Sequence, residues 1–233
     1  MDFQLIHIDE TASTNQWLKD HPSAHDLAVW ADYQTAGRGC GTNSWESERG
    51  RNLLFSLLIH HDGMPANQQF RISMAMSLAI CKALGSYIGD LSIKWPNDIY
   101  WRNGKICGIL IEHTLRGQEL KESIIGVGLN VNQRRFHSDA PNPVSLWQIT
   151  EQDTDREQLL HDILSCLGGF LGSDVRAQYL SLLYRRKGFH PFADRDGVFM
   201  AEIADVRDDG PLLLRDESGR ERQYAFKEVQ FVI

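Results

Sequence analysis

The sequence predicts an α+β chain: a mixed β-sheet with flanking helices, followed by a small β-barrel-like C-terminal unit. Three observations predict it. Strand-like apolar runs gather before residue 132. Two segments, 70–87 and 155–186, carry the three-to-four-residue apolar period of helices that pack on a sheet. After Lys187-Gly188 the texture changes to short strands separated by DDG and ESGR turns. The boundary therefore falls at 187/188, with a larger unit at 1–187 and a smaller one at 188–233.

Each element has its own justification. FQLIHID (3–9) alternates as a strand, and Thr11 or Ser13 is a fitting cap for a short helix in TNQWLKDH that ends at Pro22. DLAVWADYQT (26–35) reads as a strand entering a loop. AGRGCGTNSWESERGRN (36–52) has four glycines, three arginines and no period, so it reads as a long flexible loop. LLFSLLIH (53–60) is a buried strand by length and composition. Ile72, Met76, Ala79, Ala83 and Tyr87 share one helical face. LSIKW (91–95), KICGILIEHT (105–114) and ESIIGVGLNV (122–131) are strands, and RNG (102–104) predicts a hairpin joining the first two. Residues 133–152, with Pro141 and Pro143, read as irregular. From Asp155 to Arg186 a leucine-rich stripe predicts helix, broken at Gly168-Gly169. VFMAEIADV (198–206), PLLLRD (211–216) and RQYAFKEVQFVI (222–233) complete the small unit.

Composition narrows function. The chain has 233 residues, 42% apolar and 24% charged, which is ordinary for a globular protein. No run approaches the ~20 apolar residues of a membrane helix. The N-terminus lacks a secretion signal, so a cytoplasmic location and no membrane partner are expected. The net charge of −7 argues against a broad nucleic-acid surface. Cys40, Cys81, Cys107 and Cys166 are widely separated, and none of the nine histidines sits in a ligand cluster. Neither a zinc site nor a disulfide framework is expected.

Two motifs carry chemistry. In AGRGCG (36–41), glycines let backbone approach a ligand and aim N–H groups at anions, and Arg38 adds a planar cation. Taken alone it reads as a surface loop, lacking the ending of a P-loop. KWPNDIYWRNGKICGILIE (94–112) changes that reading. Pro96 stiffens a corner that aims Asn97 and Asp98, and Lys105 opens the next strand. Gly108, with Gly126 and Gly128 on the following strand, clears side chains from a groove in the sheet.

Together STNQ (13–16), YQTAGRG (33–39), KWPNDI (94–99), GKICGILIE (104–112) and GVGLN (126–130) resemble the catalytic domain of biotin protein ligases, in the family's order and spacing. The resemblance is firm over about residues 3–132. It implies the biotin–lipoate ligase fold, related to class II aminoacyl-tRNA synthetases, with an SH3-like C-terminal barrel. It also implies the reaction: biotin and ATP form biotinyl-5′-adenylate and pyrophosphate, and the lysine amine of a biotin carboxyl carrier domain takes the biotinyl group. ATP with Mg2+ is the expected cofactor.

The resemblance also implies roles. Lys105 and Arg38 would act on the biotin carboxylate and the α-phosphate. Ser13, Thr14, Asn15, Gln34, Gly37, Gly39, Gly108, Ile109, Gly126 and Gly128 would join them around biotin. Trp45, Lys94, Asn97, Asp98 and Asn130 would join them around the nucleotide, with Asp98 also the candidate magnesium ligand. Cys107 reads as packing. Two departures stand out. After GRG the family commonly has another basic residue, whereas here Cys40-Gly41-Thr42 follows, which predicts looser retention of the adenylate. Some members begin with a DNA-binding helix-turn-helix, whereas this chain starts at the first catalytic strand; no DNA partner and no repressor role are expected. A homodimer through sheet edges is an analogy only. The alternatives are a lipoate or octanoate ligase, against which the KWPND corner argues, and a non-catalytic biotin-sensing module.

Overall fold

The computed structural model describes residues 3–41, 43–138 and 140–233. Seven strands form the main sheet: β1 (Gln4–Thr11), β2 (Leu27–Gln34), β3 (Leu53–His60), β4 (Leu91–Lys94), β5 (Asp98–Trp101), β6 (Gly104–Arg116) and β7 (Glu119–Leu129). Their order is β1-β2-β3-β7-β6-β5-β4. The β1–β2 pair is parallel and the others antiparallel, so the sheet is mixed.

The two faces are filled differently. On one lie α2 (Phe70–Leu84), α4 (Arg156–Phe170) and α5 (Arg176–Ser181). Ile72, Met76, Ala79 and Ala83 of α2 are buried as their period requires. Removing a buried Ile or Met side chain there would cost about 2–5 kcal/mol. Among the described residues the helix on the other face is α1 (Thr14–Asp20), whose Leu18 packs with Leu27, Val29, Leu58 and Ile124. One short helix cannot cover a seven-stranded sheet, and the loop at 36–52 lays Trp45 over part of the rest.

Several expectations need correction. The 102–104 turn joins β5 to β6, not 91–95 to 105–114; β5 intervenes and pairs with β4 across the Trp95-Pro96-Asn97 corner. The peptide bond before Pro96 is cis. Helix α2 stops at Leu84, and Tyr87 lies beyond it, exposed. Residues 133–152 contain α3 (Leu146–Thr150), opened by a capping box in which Ser145 and Gln148 bond each other's backbone N–H. Helix α4 runs through Gly168-Gly169, because its buried face is carried by Leu159, Leu160, Ile163 and Leu167.

The C-terminal unit is an antiparallel five-stranded sheet in the order β11-β10-β9-β8-β12. It contains β8 (His190–Asp194), which the sequence reading passed over, β9 (Gly197–Val206) and β10 (Leu212–Asp216). The 222–233 segment is two strands, β11 (Glu221–Tyr224) and β12 (Gln230–Phe231), parted by a turn at 225–229. Phe192 is its central buried ring, against Phe199 and Phe231. No helix among the described residues is long and apolar enough to cross a membrane.

Candidate active site

The site lies on the open face, over β6 and β7. Gly108 and Gly128 are cross-strand partners, and Gly126 faces Leu110. Opposite Gly108 on the other side is β5, where Asp98 is its partner. The glycines make a slot one side chain deep. A Cβ on Gly108 would stand 3.0 Å from Trp45 Cζ3, and one on Gly128 would enter the Trp45 indole. Trp45 thus rests its ring in the slot. A Cβ on Gly126 would collide with the Asn15 amide, so that part of the groove is filled by Asn15.

Lys105 stands at the rim. Its Nζ is 2.8 Å from Asp98 Oδ1 and 5.6 Å from the centre of the Trp45 ring. Its backbone is clamped by a strap: Lys105 N–H donates to Asn142 O at 2.8 Å, and Val144 N–H donates to Lys105 O at 3.0 Å. Asn130, buried just past β7, donates from Nδ2 to Val144 O at 3.1 Å. Among the described residues three buried side-chain polar atoms have no partner, and two of them, Trp45 Nε1 and Asn130 Oδ1, belong to this site. A buried donor and acceptor left open in one place mark where a polar ligand would bond.

The far end is polar. Thr14 donates to Gln34 Oε1 from its backbone at 2.7 Å and from its hydroxyl at 3.0 Å. Ser56, the polar residue within the buried run of β3, lies 2.7 Å from Thr14 Oγ1 and 2.6 Å from Asn15 Oδ1. Ser13 is buried as the N-cap residue of α1 but makes no side-chain cap bond. Glu112 gathers Asn15 Nδ2 at 2.9 Å, Lys19 at 2.7 Å and, loosely, Arg38 at 3.7 Å. Partial burial pushes its carboxyl up, but the bonds from Lys19 and Asn15 and the charges of Lys19 and Arg38 outweigh this and hold it below the usual range.

The glycine-rich loop folds back on itself as a narrow hairpin. Trp45 N–H donates to Gly37 O at 2.9 Å and Gly39 N–H to Asn43 O at 2.7 Å, with Arg38 bridged to Ser44. A Cβ on Gly37 would meet the Trp45 carbonyl at 2.7 Å, so the close approach requires glycine there. Thr42 lies outside the described residues.

Not every expected residue points into the slot. The Ile109 side chain belongs to the helix-side core, as alternation after Gly108 requires. Its backbone exchanges bonds with Asn97, through Ile109 N–H to Asn97 O at 3.1 Å and Asn97 Nδ2 to Ile109 O, which locks the corner. Lys94 Nζ lies over the rings of Tyr100 at 5.5 Å and Phe231 at 5.2 Å, toward the C-terminal sheet. Burial pushes its ammonium below the usual lysine range; Asp98 opposes that push and Lys105 and Arg185 add to it. Cys107 is fully buried, and burial raises its thiol well above the usual range, as suits packing. Away from the slot, His7, Asp9 and Asp32 come together on β1 and β2, but Asp32 is already bonded to Arg156 at 2.7 Å.

A sequence model of the biotin/lipoate A/B protein ligase family matches residues 6–130, more than half of the chain. The chain belongs to this family. A biotin--[acetyl-CoA-carboxylase] ligase of Paracoccus denitrificans is 30% identical over 91% of this chain and 94% of its own. The bifunctional ligase/repressor BirA of Bacillus spizizenii is 28% identical over 97% of this chain and 73% of its own. The solved biotin protein ligase from Aquifex aeolicus in complex with biotin and ATP superposes with a TM-score of 0.80, at 26% identity over 97% of each chain. The structural likeness to that protein extends through the C-terminal sheet.

Sequence reading missed three parts of the candidate site. Ser56 and Glu112 were legible as polar breaks in β3 and β6. The 142–144 strap has no local signal, since it is defined by its pairing with Lys105.

Proposed function

We propose that this chain is a biotin protein ligase that activates biotin with ATP and transfers the biotinyl group to the lysine ε-amine of a biotin carboxyl carrier domain. In the first step a biotin carboxylate oxygen bonds to the α-phosphorus of ATP and pyrophosphate leaves. In the second the carrier amine attacks the acyl carbon, AMP leaves, and an amide forms with loss of a proton. The observation that carries this reading is Lys105, held at the rim of the Gly108–Gly128 slot with Asn130 beside it.

Residue roles follow from charge and reach. Lys105 offsets the negative charge that builds as the carboxylate and phosphate approach. Arg38, half-exposed and loosely paired with Glu112, is free to swing to the same anions. Trp45 lifts from the slot and covers the ligand. Thr14, Asn15 and Gln34, with Ser13 beside them, bind the polar ring of biotin, and the backbone at Gly37 and Gly39 closes over it. The open Asn130 Oδ1 accepts from the amino group of adenine. Asp98 is the carboxylate beside Lys105 at the rim, and Lys105 engages its Oδ1. Magnesium bound mostly through nucleotide phosphates needs only one or two carboxylates, so Asp98 fits as its protein ligand. Asn97 and Ile109 act through the corner they lock, and Lys94 adds positive charge behind it. The chain divides at 187/188 into a catalytic unit and an accessory one.

The test is direct. The protein is incubated with biotin, MgATP and candidate carrier domains, and the carriers are weighed by mass spectrometry. A gain of one biotinyl group on a carrier lysine is expected. Labelled biotin, lipoate and octanoate in competition separate this reading from lipoate or octanoate ligation. A chain that releases no pyrophosphate with any of these acids is not a ligase.

A further inference from the structure

The turn between β11 and β12 reaches back to the active site. It runs through Ala225, Phe226, Lys227 and Glu228. Glu228 braces it, accepting from Ala225 N–H at 2.7 Å through Oε2 and donating its own N–H to Ala225 O at 3.1 Å. Phe226 stands edge-on to Trp95 of the KWPND corner, with ring centroids 6.2 Å apart. Trp95 in turn donates from Nε1 to Gly210 O at 2.9 Å, which ties the same corner to the β9–β10 turn of the second sheet. Lys227 has a φ of 71°, left-handed backbone that a lysine adopts only when its surroundings impose it.

Its side chain then lies on the glycine-rich loop. Lys227 Nζ occupies the space where a Cβ of Gly41 would stand, and Cε is 3.5 Å from that position. Gly41 is at the tip of the hairpin that Gly37 and Trp45 close. Of the cations already described, Lys105 faces Asp98 and Arg38 is only loosely paired with Glu112. Among the described residues Lys227 has no carboxylate within salt-bridge distance; its aromatic neighbour is Phe226, 5.8 Å away. Between Ala36 and Trp45, Arg38 is the single cation. A solvated lysine that happened to cross a glycine turn would not explain why a strained backbone and a pinned aromatic bring it there.

We propose that Lys227 is a nucleotide-phosphate contact contributed to the active site by the C-terminal sheet, closing the turn at 39–41 over the polyphosphate of ATP. An ammonium with three donors suits that anion, and the glycine leaves room for it to approach the loop backbone. The second sheet thereby supplies the positive charge that Cys40 does not. The proposal rests on the ATP-dependent reading of the site given above.

The test compares the full-length wild type with Lys227→Gln and Lys227→Arg. Four quantities are read: KM for ATP in biotin-dependent pyrophosphate release, inhibition by added inorganic pyrophosphate, Kd for biotin by calorimetry, and thermal midpoint. Lys227→Gln should raise KM for ATP roughly five- to tenfold and weaken pyrophosphate inhibition in parallel, the effect of one lost charge-assisted contact at a half-open site. Biotin affinity and melting should stay as in the wild type, and Lys227→Arg should recover most of the loss. An active wild type with an unchanged KM and pyrophosphate inhibition in Lys227→Gln overturns this proposal alone. So does a loss of kcat with both unchanged, which would give Lys227 a purely structural part. A wild type that neither binds nor turns over ATP overturns the ligase reading and this inference with it.

Discussion

Lys105 Nζ and Asp98 Oδ1 face each other at 2.8 Å across the β6–β5 bulge. The carboxylate aims the ammonium across Gly108 instead of letting it sweep through solvent. Lys105→Ala should lower biotin-dependent pyrophosphate release by about two orders of magnitude or more, the loss typical of one preorganised charge. Biotin should still bind detectably in calorimetry. Asp98→Asn should give an intermediate loss, since the ammonium remains but is no longer aimed. Single-turnover rates of adenylate formation check both; an unchanged rate for Lys105→Ala would remove it from the mechanism.

Gly108→Val tests the slot. Its side chain would fill the space now shared by Trp45 Cζ3 at 3.0 Å and Lys105 Nζ at 3.3 Å. The variant should fold, with an unaltered far-ultraviolet circular dichroism spectrum, and lose biotin binding. Wild-type biotin affinity by calorimetry would contradict a ligand lying along β6 and β7.

Asn130→Ala should act in two ways. It deletes the bond to the Val144 carbonyl, which costs about 1–3 kcal/mol of stability when the partner is left buried. It also removes the open Oδ1, so KM for ATP should rise while biotin affinity holds. Urea titration reads the first effect and ATP kinetics the second. A stability loss with ATP binding intact would restrict Asn130 to holding the 142–144 strap.

Acid should weaken the fold through a pair of histidines on the helix side. His61 Nε2 and His113 Nδ1 both lie 2.7 Å from Ser123 Oγ. Burial lowers both imidazoles; Asp26 opposes this at His61 while His60 adds to it, and the charge of His61 adds to it at His113. Their folded pKa values therefore lie below the unfolded value of about 6.5. Just below that pH the unfolded chain binds more protons, so stability falls with pH and levels off under the folded values. The thermal midpoint should drop from pH 7.5 to pH 5, and His113→Gln should remove part of the slope. An equal slope in both proteins would rule out the pair as a source.

The legible parts of this chain share one property: their signal is local. The apolar period of 70–84, the buried run 53–60 and the glycine spacing of 108, 126 and 128 each lie within one or two neighbouring strands or helices. Strand β5 escaped because four residues between a proline corner and a turn are too few to show a period. Helix α3 did carry its sign in Ser145 and Gln148, hidden among polar neighbours. Gly168-Gly169 looked like a break, yet a Cβ on Gly169 meets nothing within 4 Å, so that face of α4 asks for no side chain. For the site, Lys105, Asp98 and Asn130 could be read because they sit in or beside consecutive strands.

Other features arise from contacts between segments distant along the chain. Asn142 and Val144 clamp Lys105, Glu112 gathers Asn15, Lys19 and Arg38, and Lys227 lies on Gly41. The motifs, in their order, carried the family resemblance that implied the chemistry, and the glycine spacing marked the groove. How Lys105 is aimed, and which distant groups surround it, depended on sheet register and on the docking of the second sheet. Those are set by close packing summed over the whole molecule, which no short stretch of residues encodes.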